Sequence, residues 1–342
     1  MSAAFPRVSA VVLAWGREPV LVDAVQALLA SRNVEIDVVL VDNGCLDDAV
    51  ESVRRFDRVT VISPGSNTGF AGGCNLGARH ARGDILAFIN ADAVVDPYAI
   101  RRLADALVGD VGLASASLRL YDEPQTMNSA GNPIHYTGLS WAGGMGEPAA
   151  AHAEPQNVAS ATGAAVAVRA DRFRSVGGFC QPMFAYCEDA ELSLRCWQRG
   201  WRTVYVPDAV VLHRYEFSRN PQKFYLLERN RIFMVLTTLQ VRTLIVLAPA
   251  LIGVEFAVFL VSGRQGWRQQ KVAGWRWLWK HRGLIAARRR LVQSERLRSD
   301  RQLADVFTGD FAPSGDTGLS IGPVLRALSR MYWALARRAL QH

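Results

Sequence analysis

Short apolar runs alternate along the first two thirds of the chain with stretches whose apolar positions recur every three or four residues. Residues 8–14, VSAVVLA, read as a buried strand. Pro19 then opens a helical stretch, PVLVDAVQALLAS. IDVVLVDNG is a second strand that runs into Asp42-Asn43-Gly44. A short helix is expected over residues 47–56, a third strand at VTVIS, and a Gly-rich loop leading into a helix at SNTGFAGGCNLGARHARGD. ILAFIN is the fourth strand. Strands alternating with helices at this spacing predict a parallel sheet covered on both faces.

Further on, PYAIRRLADAL predicts a helix and VGLASASLRL a strand. Residues 122–160 are rich in Gly, Pro and Ala and have little periodicity, so a long, mobile and functional loop region is expected there. ATGAAVAVRADRFRSVGGF returns to strand and helix, and CEDAELSLRCWQRG is a helix closed by Gly200. RTVYVPDAVVLH reads as a strand pair split at Pro207-Asp208.

The character changes near residue 223. FYLLERNRIFMVLTTL is helical, and residues 244–262 form an apolar run interrupted by Glu255 and Pro249. That run is barely long enough to span a bilayer. Lys223, Arg229, Arg231 and Arg242 precede it, and Arg264, Arg268, Lys271 and Arg276 follow. A single span would place one basic cluster on the wrong side. A monotopic or re-entrant helix is therefore expected, with a single span or a buried core helix as alternatives. The next segment interleaves Trp267, Trp275, Trp277 and Trp279 with Arg and Lys, which suits a helix lying on anionic lipid. Nucleic acid could use that composition but would not need the apolar run before it.

Charge sharpens this division. The 342 residues carry a net charge of +8, with Arg and Lys concentrated over residues 264–301. An anionic membrane surface is the expected partner there, and nucleic acid is not. The five cysteines include no CxxC pair and are expected to be reduced thiols in the cytosol. The apolar run near the N-terminus is too short for a secretory signal.

In a parallel sheet the four strand ends, at Ala14-Trp15, Asp42-Asn43, Ser63-Pro64 and Asn90-Ala91-Asp92, share one edge, where open α/β sheets hold ligands. Asp42 and Asp92 can then face one cleft, although both also sit in good turn sequences. A carboxylate at the second strand's end can accept from a base or ribose. One at the fourth can hold Mg2+ or Mn2+, which prefer oxygen ligands. No GxGxxG follows the first strand, and no GxxxxGK[ST] loop occurs anywhere in the chain.

The segments VVLAWGREP, VLVDNGCLDD, NTGFAGGCNLGARHARGDILAFINADAVVDP, TGAAVAVRADRFRSVGGF, FAYCEDAELSLRCWQRGW and VVLHRYEFS occur in this order. Together they resemble the family 2 glycosyltransferases of GT-A fold, in their bacterial rhamnosyltransferase-like branch, over about residues 7–235. The resemblance implies an α/β, mostly parallel, single Rossmann-like nucleotide-diphospho-sugar transferase domain over residues 1–235. Residues 236–342 would be a helical, basic, membrane-associated extension on the cytoplasmic face. It implies a nucleotide-diphosphate sugar donor, a lipid-linked or cell-wall glycan acceptor and a divalent metal, Mg2+ or Mn2+.

By the same resemblance Asp42 contacts the nucleotide base, and Asn67 and Asn75 line its pocket. Asn90 and Asp92 match a DxD-type motif whose last residue binds the metal-diphosphate, and His213 helps hold the metal. Glu188 and Asp189 match the pair that supplies the catalytic base. Neighbours on a helix point about 100° apart, so Asp189 is taken as the base and Glu188 as its partner.

Two positions depart from the pattern. The first strand ends in Ala14-Trp15-Gly16 rather than a polar motif, which leaves backbone contacts at Ala14 and Trp15. The metal motif begins with Asn90 instead of a carboxylate. Both departures keep a non-catalytic, membrane-bound sugar-nucleotide scaffold as a rival. A nucleotidyltransferase would need a Gly-rich basic loop where AWGREPV offers only Arg17. Glu191 and Arg195, spaced i,i+4, are expected to form a surface ion pair.

Overall fold

The computed structural model describes residues 4–214, 222–313 and 322–340. Residues 215–218, the end of the VVLHRYEFS segment, lie outside them. The elements follow in the order β1 (Arg7–Gly16), α1 (Leu21–Leu29), β2 (Glu35–Cys45), α2 (Ala49–Arg54), β3 (Val59–Ile62), α3 (Gly69–His80) and β4 (Ile85–Asn90). Next come β5 (Ala93–Val95), α4 (Ala99–Ala106), β6 (Val111–Leu120), β7 (Met127–Ser129), β8 (Ile134–His135) and β9 (Gln156–Asn157). Then follow β10 (Ala165–Arg169), α5 (Ala170–Ser175), α6 (Glu188–Gln198) and β11 (Arg202–His213). The last are α7 (Lys223–Thr238), α8 (Val241–Arg264), α9 (Arg268–Lys280), α10 (Arg282–Glu295), β12 (Phe307–Thr308) and α11 (Pro323–Ala339).

The main sheet runs β3-β2-β1-β4-β10-β6-β11-β5. Strands β1 to β4 are mutually parallel where they pair, β10 is antiparallel to both β4 and β6, and β11 is again parallel to β6. Every residue from Ile85 to Ile89 is buried, as a central strand covered on both faces requires. One cluster, including Val12, Leu28, Leu40 and Leu103, fills one face of the sheet. A second, including Val11, Phe88, Phe173 and Leu192, fills the other.

Three expectations need correction. RTVYVPDAVVLH is one strand, not two: Pro207 has no N–H to give, and the pairing with β6 absorbs it as a register shift between Val206 and Val210. Residues 122–160 are packed rather than mobile. β7 pairs with β6, β9 with β11 and β8 with β12, and Met127, Ile134 and Tyr136 are buried. Glu191 and Arg195 form no surface pair but lie in the interior, as described below.

Helix α3 approaches β1 closely. A Cβ on Gly73 would sit 2.2 Å from Leu13 Cδ1, and one on Gly77 would sit 2.4 Å from Val11 Cγ1. Gly69 opens the helix at φ +71°, where an added Cβ would meet the Phe184 carbonyl oxygen at 2.4 Å. The glycine-rich sequence therefore lets α3 press against both the sheet and the loop that precedes α6.

Among the described residues one helix, α8, is long and apolar enough to cross a membrane. Ile245, Ile252 and Phe256 on it are exposed. Glu255 is turned inward: its carboxylate accepts from Arg231 of α7, from Lys271 of α9 at 2.8 Å and from Trp275 Nε1 at 2.7 Å. Of the four tryptophans in this region, Trp267 is buried and stacks on Phe224 with ring centroids 4.7 Å apart, whereas Trp279 is exposed.

Candidate active site

The carboxyl ends of β1, β2 and β4 open into a cavity of about 800 Å³, which Trp141 and Phe311 also line. The segment Asn90-Ala91-Asp92 connects β4, in the middle of the sheet, to β5 at its edge. In the antiparallel pairing of β5 with β11, His213 lies opposite Ala93 and so stands beside Asp92. His213 Nε2 is 3.2 Å from Asp92 Oδ1, and the Arg214 N–H donates to the Asp92 carbonyl at 2.9 Å. Two residues far apart in sequence are joined by strand register.

The histidine is oriented from behind. Its Nδ1 lies 2.8 Å from Asn128 Oδ1, an acceptor, so Nδ1 carries the proton. In the neutral ring Nε2 then presents a lone pair to the Asp92 carboxylate, with the Asn90 amide nitrogen 3.5 Å away. Two electron-rich atoms facing each other in a largely buried place fit a cation between them. This donor set, one carboxylate oxygen and one imidazole nitrogen, is suited to a divalent metal. Among the described residues no group of three or more His, Cys, Asp or Glu gathers.

Glu188 and Asp189 begin α6 and both line the cavity. The turn before the helix is tightly wound. Phe184, Tyr186 and Cys187 all have φ between +65° and +68°. Asp189 Oδ2 accepts from the Gly163 N–H at 3.0 Å and its Oδ1 from the Ala190 N–H at 2.7 Å. Glu188 Oε2 is buried and has no hydrogen-bond partner among the described residues. Burial raises the pKa of Asp189, and the two backbone donors oppose the rise. Burial and the neighbouring Asp189 charge push Glu188 well above the ordinary carboxylate range. The backbone donors thus favour the ionised form at Asp189, whereas Glu188 Oε2 receives no such donor among the described residues.

The other residues singled out in the sequence divide. Trp15, Asn67 and Asn90 line the cavity, whereas Ala14 is buried in the core beneath it. Asp42 is not among the lining residues; its Oδ1 accepts from the N–H groups of Gly44 and Cys45 at 3.2 and 3.0 Å and so closes its own turn. Asn75 is spent on structure: its side chain both donates to and accepts from the Phe179 backbone at 2.9 Å. All five cysteines are free thiols.

Four contributors went unforeseen. Asn43 donates to Asn67 Oδ1 at 2.9 Å and accepts from the Thr68 N–H at 2.9 Å, tying the end of β2 to the start of α3. Glu18 Oε1 accepts from the Trp15 N–H at 3.1 Å at the cavity wall. Asn230 and Arg229 of α7 hold the wound turn. Asn230 Nδ2 points at the carbonyls of Met183, Ala185 and Tyr186 at 2.7–2.8 Å, and Arg229 Nη2 donates to Met183 at 2.6 Å. Left-handed residues cost about 1–3 kcal/mol each unless their surroundings hold them. Asn230→Ala is accordingly expected to let the turn relax and misplace the acidic pair. A loss of ten- to a hundredfold in kcat with unchanged donor Kd would follow from a displacement near 1 Å. An equal loss in donor affinity would contradict that role.

Comparison with known proteins narrows the chemistry. A family model described as glycosyltransferase-like family 2 matches residues 6–233. The N-acetylglucosaminyl-diphospho-decaprenol L-rhamnosyltransferase of Mycobacterium tuberculosis is 26% identical over 294 residues, covering 78% of this chain and 86% of that protein. The succinoglycan biosynthesis protein ExoO of Rhizobium meliloti is 32% identical over 134 residues, 35% of this chain and 38% of its own length. Among solved structures, GalNAc-T7 with UDP, GalNAc and Mn2+ has a TM-score of 0.57 at 16% identity, covering 69% of this chain. The chain spans 48%, about half, of that protein's length. TarS 1-349 of S. aureus has a TM-score of 0.53 at 13% identity, covering 98% of this chain and 91% of that one. At such identities these structures share the fold, a GT-A-like α/β arrangement with a mostly parallel central sheet.

Proposed function

This chain belongs to glycosyltransferase family 2, and on that premise we propose that it is an inverting enzyme. It moves a sugar, rhamnose first, from a nucleotide-diphosphate donor to a lipid-linked or cell-wall glycan acceptor. The observation that carries the reading is the convergence of the Asp92–His213 pair and the buried Glu188–Asp189 pair on one cavity. A similar protein's name specifies an L-rhamnosyltransferase acting on a diphospho-decaprenol acceptor, which supports dTDP-rhamnose ahead of UDP-sugars or GDP-mannose.

Asp189 takes the proton from the acceptor hydroxyl as its oxygen attacks the anomeric carbon and the diphosphate departs from the opposite face. Glu188, protonated, keeps a second negative charge away from that proton. Asn67 and Trp15 border the space for the nucleotide, with Asp42, Asn75 and Ala14 holding or framing it. Asp92, with His213, would hold Mg2+ or Mn2+, which when bound neutralises charge on the leaving diphosphate. Asn90 in place of a first carboxylate lowers the negative charge at that point.

Residues 1–235 form the transfer domain in this reading, and residues 236–342 attach it to the cytoplasmic face of the membrane. The exposed apolar residues of α8 and α11, together with Trp279 and the surrounding arginines, support attachment to an anionic surface. Glu255, held inward by Arg231 and Lys271, favours a helix lying on the membrane over one crossing it.

The test is transfer from each candidate donor to a diphosphate-linked prenyl glycan, with the product's anomeric configuration read by NMR. The opposite configuration from the donor is expected, and retention would contradict the single-displacement mechanism.

A further inference from the structure

Helix α8 is apolar enough to cross a membrane, yet it carries a carboxylate, Glu255, past its middle. A largely buried acid is costly unless it is well paired. Glu255 binds Arg231 of α7 and Lys271 of α9, and Glu228 of α7 binds the same two cations. Two acids and two bases thus balance in one cluster that joins three helices. Among the described residues, every ion pair that joins α8 to α7 or α9 passes through Glu255. Apolar packing adds little to that attachment: of the 24 residues of α8, only Thr243, Leu247, Val258 and Ser262 are buried.

Helix α7 connects this cluster to the turn before the acidic pair. Its residues 228–231 are consecutive, polar and buried, and they face two ways. Glu228 and Arg231, three apart and so on one side of the helix, meet the cluster. Arg229 and Asn230 point to the wound turn, where they donate to the carbonyls of Met183, Ala185 and Tyr186. Arg231 Nη1 also donates to the Thr137 carbonyl at 3.2 Å, beside the cavity-lining Gly138. Residues of one helix turn together, so any rotation at Glu228 and Arg231 carries Asn230 with it.

We propose that Glu255 is a positioning residue for sugar transfer: it ties α7 to α8 and so keeps the Asn230 clamp on the turn that presents Asp189. Without it, α7 loses its ionic attachment to α8, and the side of α7 that carries Arg231 is free to rotate. The carboxylate in the apolar helix then has a role in chemistry that it does not touch. The inference rests on the glycosyltransferase reading for its catalytic effect, whereas the link from Glu255 to the turn can be measured without substrate.

The test compares the full-length protein with Glu255→Gln, which keeps the size of the side chain and removes its charge. Hydrogen–deuterium exchange should rise about tenfold at residues 183–187, as in Asn230→Ala, and stay unchanged in α1 and β2. Transfer from dTDP-rhamnose to a diphosphate-linked prenyl glycan should lose about tenfold in kcat with the donor Kd unchanged. In an Asn230→Ala background the same substitution should cost less than about twofold more, because both changes act through one clamp. Glu255→Asp, which retains the charge, should recover most of the lost kcat.

Glu255→Leu combined with Lys271→Met removes one acid and one base together and leaves Glu228 paired with Arg231, so buried charge stays balanced. If circular dichroism shows Glu255→Gln unfolded, this double variant carries the test, with the same rise in exchange and loss of kcat expected. Wild-type exchange at residues 183–187 in a folded variant would overturn the proposal. So would a rise spread over α1 and β2, which is general destabilisation, a fall in donor affinity to match kcat, or full multiplication of the losses in the Asn230→Ala background. Absence of transfer by the wild-type protein would count against the glycosyltransferase reading alone, and exchange at the turn would still decide the role of Glu255.

Discussion

Asp189→Asn is expected to lower transfer by about 10²- to 10⁴-fold, the contribution of a positioned general base, and to leave sugar-nucleotide binding unchanged. The amide keeps the size of the side chain and can still accept from the Gly163 N–H, but it cannot take a proton. Glu188→Gln, which imitates the protonated acid, should retain much more activity. The pH profile follows from the same environment. Burial raises Asp189, and burial with Asp189's charge raises Glu188. The base works only when deprotonated, so activity is lost as pH falls through a raised value. The acid limb of kcat/KM should therefore lie above the ordinary carboxylate region near ~4, and it reports the pair rather than either residue alone. Glu188→Gln keeps a neutral neighbour beside Asp189, whose rise comes from burial, and should leave that limb in place. Wild-type turnover in Asp189→Asn would remove Asp189 from the chemistry.

Glu191→Ala should destabilise the fold by about 3–5 kcal/mol, the cost of stranding buried charge. Glu191 is fully buried, and its two oxygens accept from Arg195 Nε at 2.9 Å and from Arg288 Nη2 at 2.7 Å. Arg195 also donates to the carbonyl of Gly178 at 2.6 Å. Removing the single acid leaves two guanidinium groups inside the protein. Against a typical total stability of about 5–15 kcal/mol this is a large fraction, and the melting temperature should fall by on the order of 10 °C. Despite burial the two arginines hold Glu191 below its ordinary pKa. Its stabilisation is therefore complete above the unfolded value near ~4.3 and is lost as pH falls through the depressed folded one. Urea unfolding of wild type and variant decides the matter, and a difference under about 1 kcal/mol would contradict the buried triad.

That triad also shows how the C-terminal helices belong to the fold. Arg288 lies on α10 and Lys271 on α9, and both neutralise acids of the preceding region. A cut before Gln240 would take Arg288 from Glu191 and Lys271 from Glu228, leaving each acid one of its two cations. Membrane dependence is better probed at exposed positions such as Ile252, Phe256 and Trp279.

Much of this was legible in the sequence because it depends on local pattern. The all-apolar stretch of β4 running into Asn90-Ala91-Asp92 specified both a covered strand and a polar strand end. The acidic start of α6 and the Gly200 stop were equally plain. The ion pair of Glu191 and Arg195 was visible as i,i+4 spacing, but that spacing is the same on a surface and in a core. Only the arrival of Arg288, nearly a hundred residues later, distinguishes the two. The packing of residues 122–160 escaped notice because aperiodic sequence can be buried when its backbone pairs with strand edges, as at β7 and β9. The Asn230 clamp was hidden for a related reason. Its partners are backbone carbonyls of a wound turn, and carbonyls leave no mark in sequence. Asp42 illustrates the converse: a residue placed at the right strand end can turn its carboxylate into its own loop.

The most direct test of the account is sugar-nucleotide binding by the full-length protein, measured by calorimetry across a panel of dTDP-, UDP- and GDP-sugars with and without Mn2+. The account predicts that one donor, dTDP-rhamnose first, binds only with the metal, and that Asp92→Ala abolishes this binding in a folded protein. Absence of binding to every donor, or metal-dependent binding that survives Asp92→Ala, would contradict it.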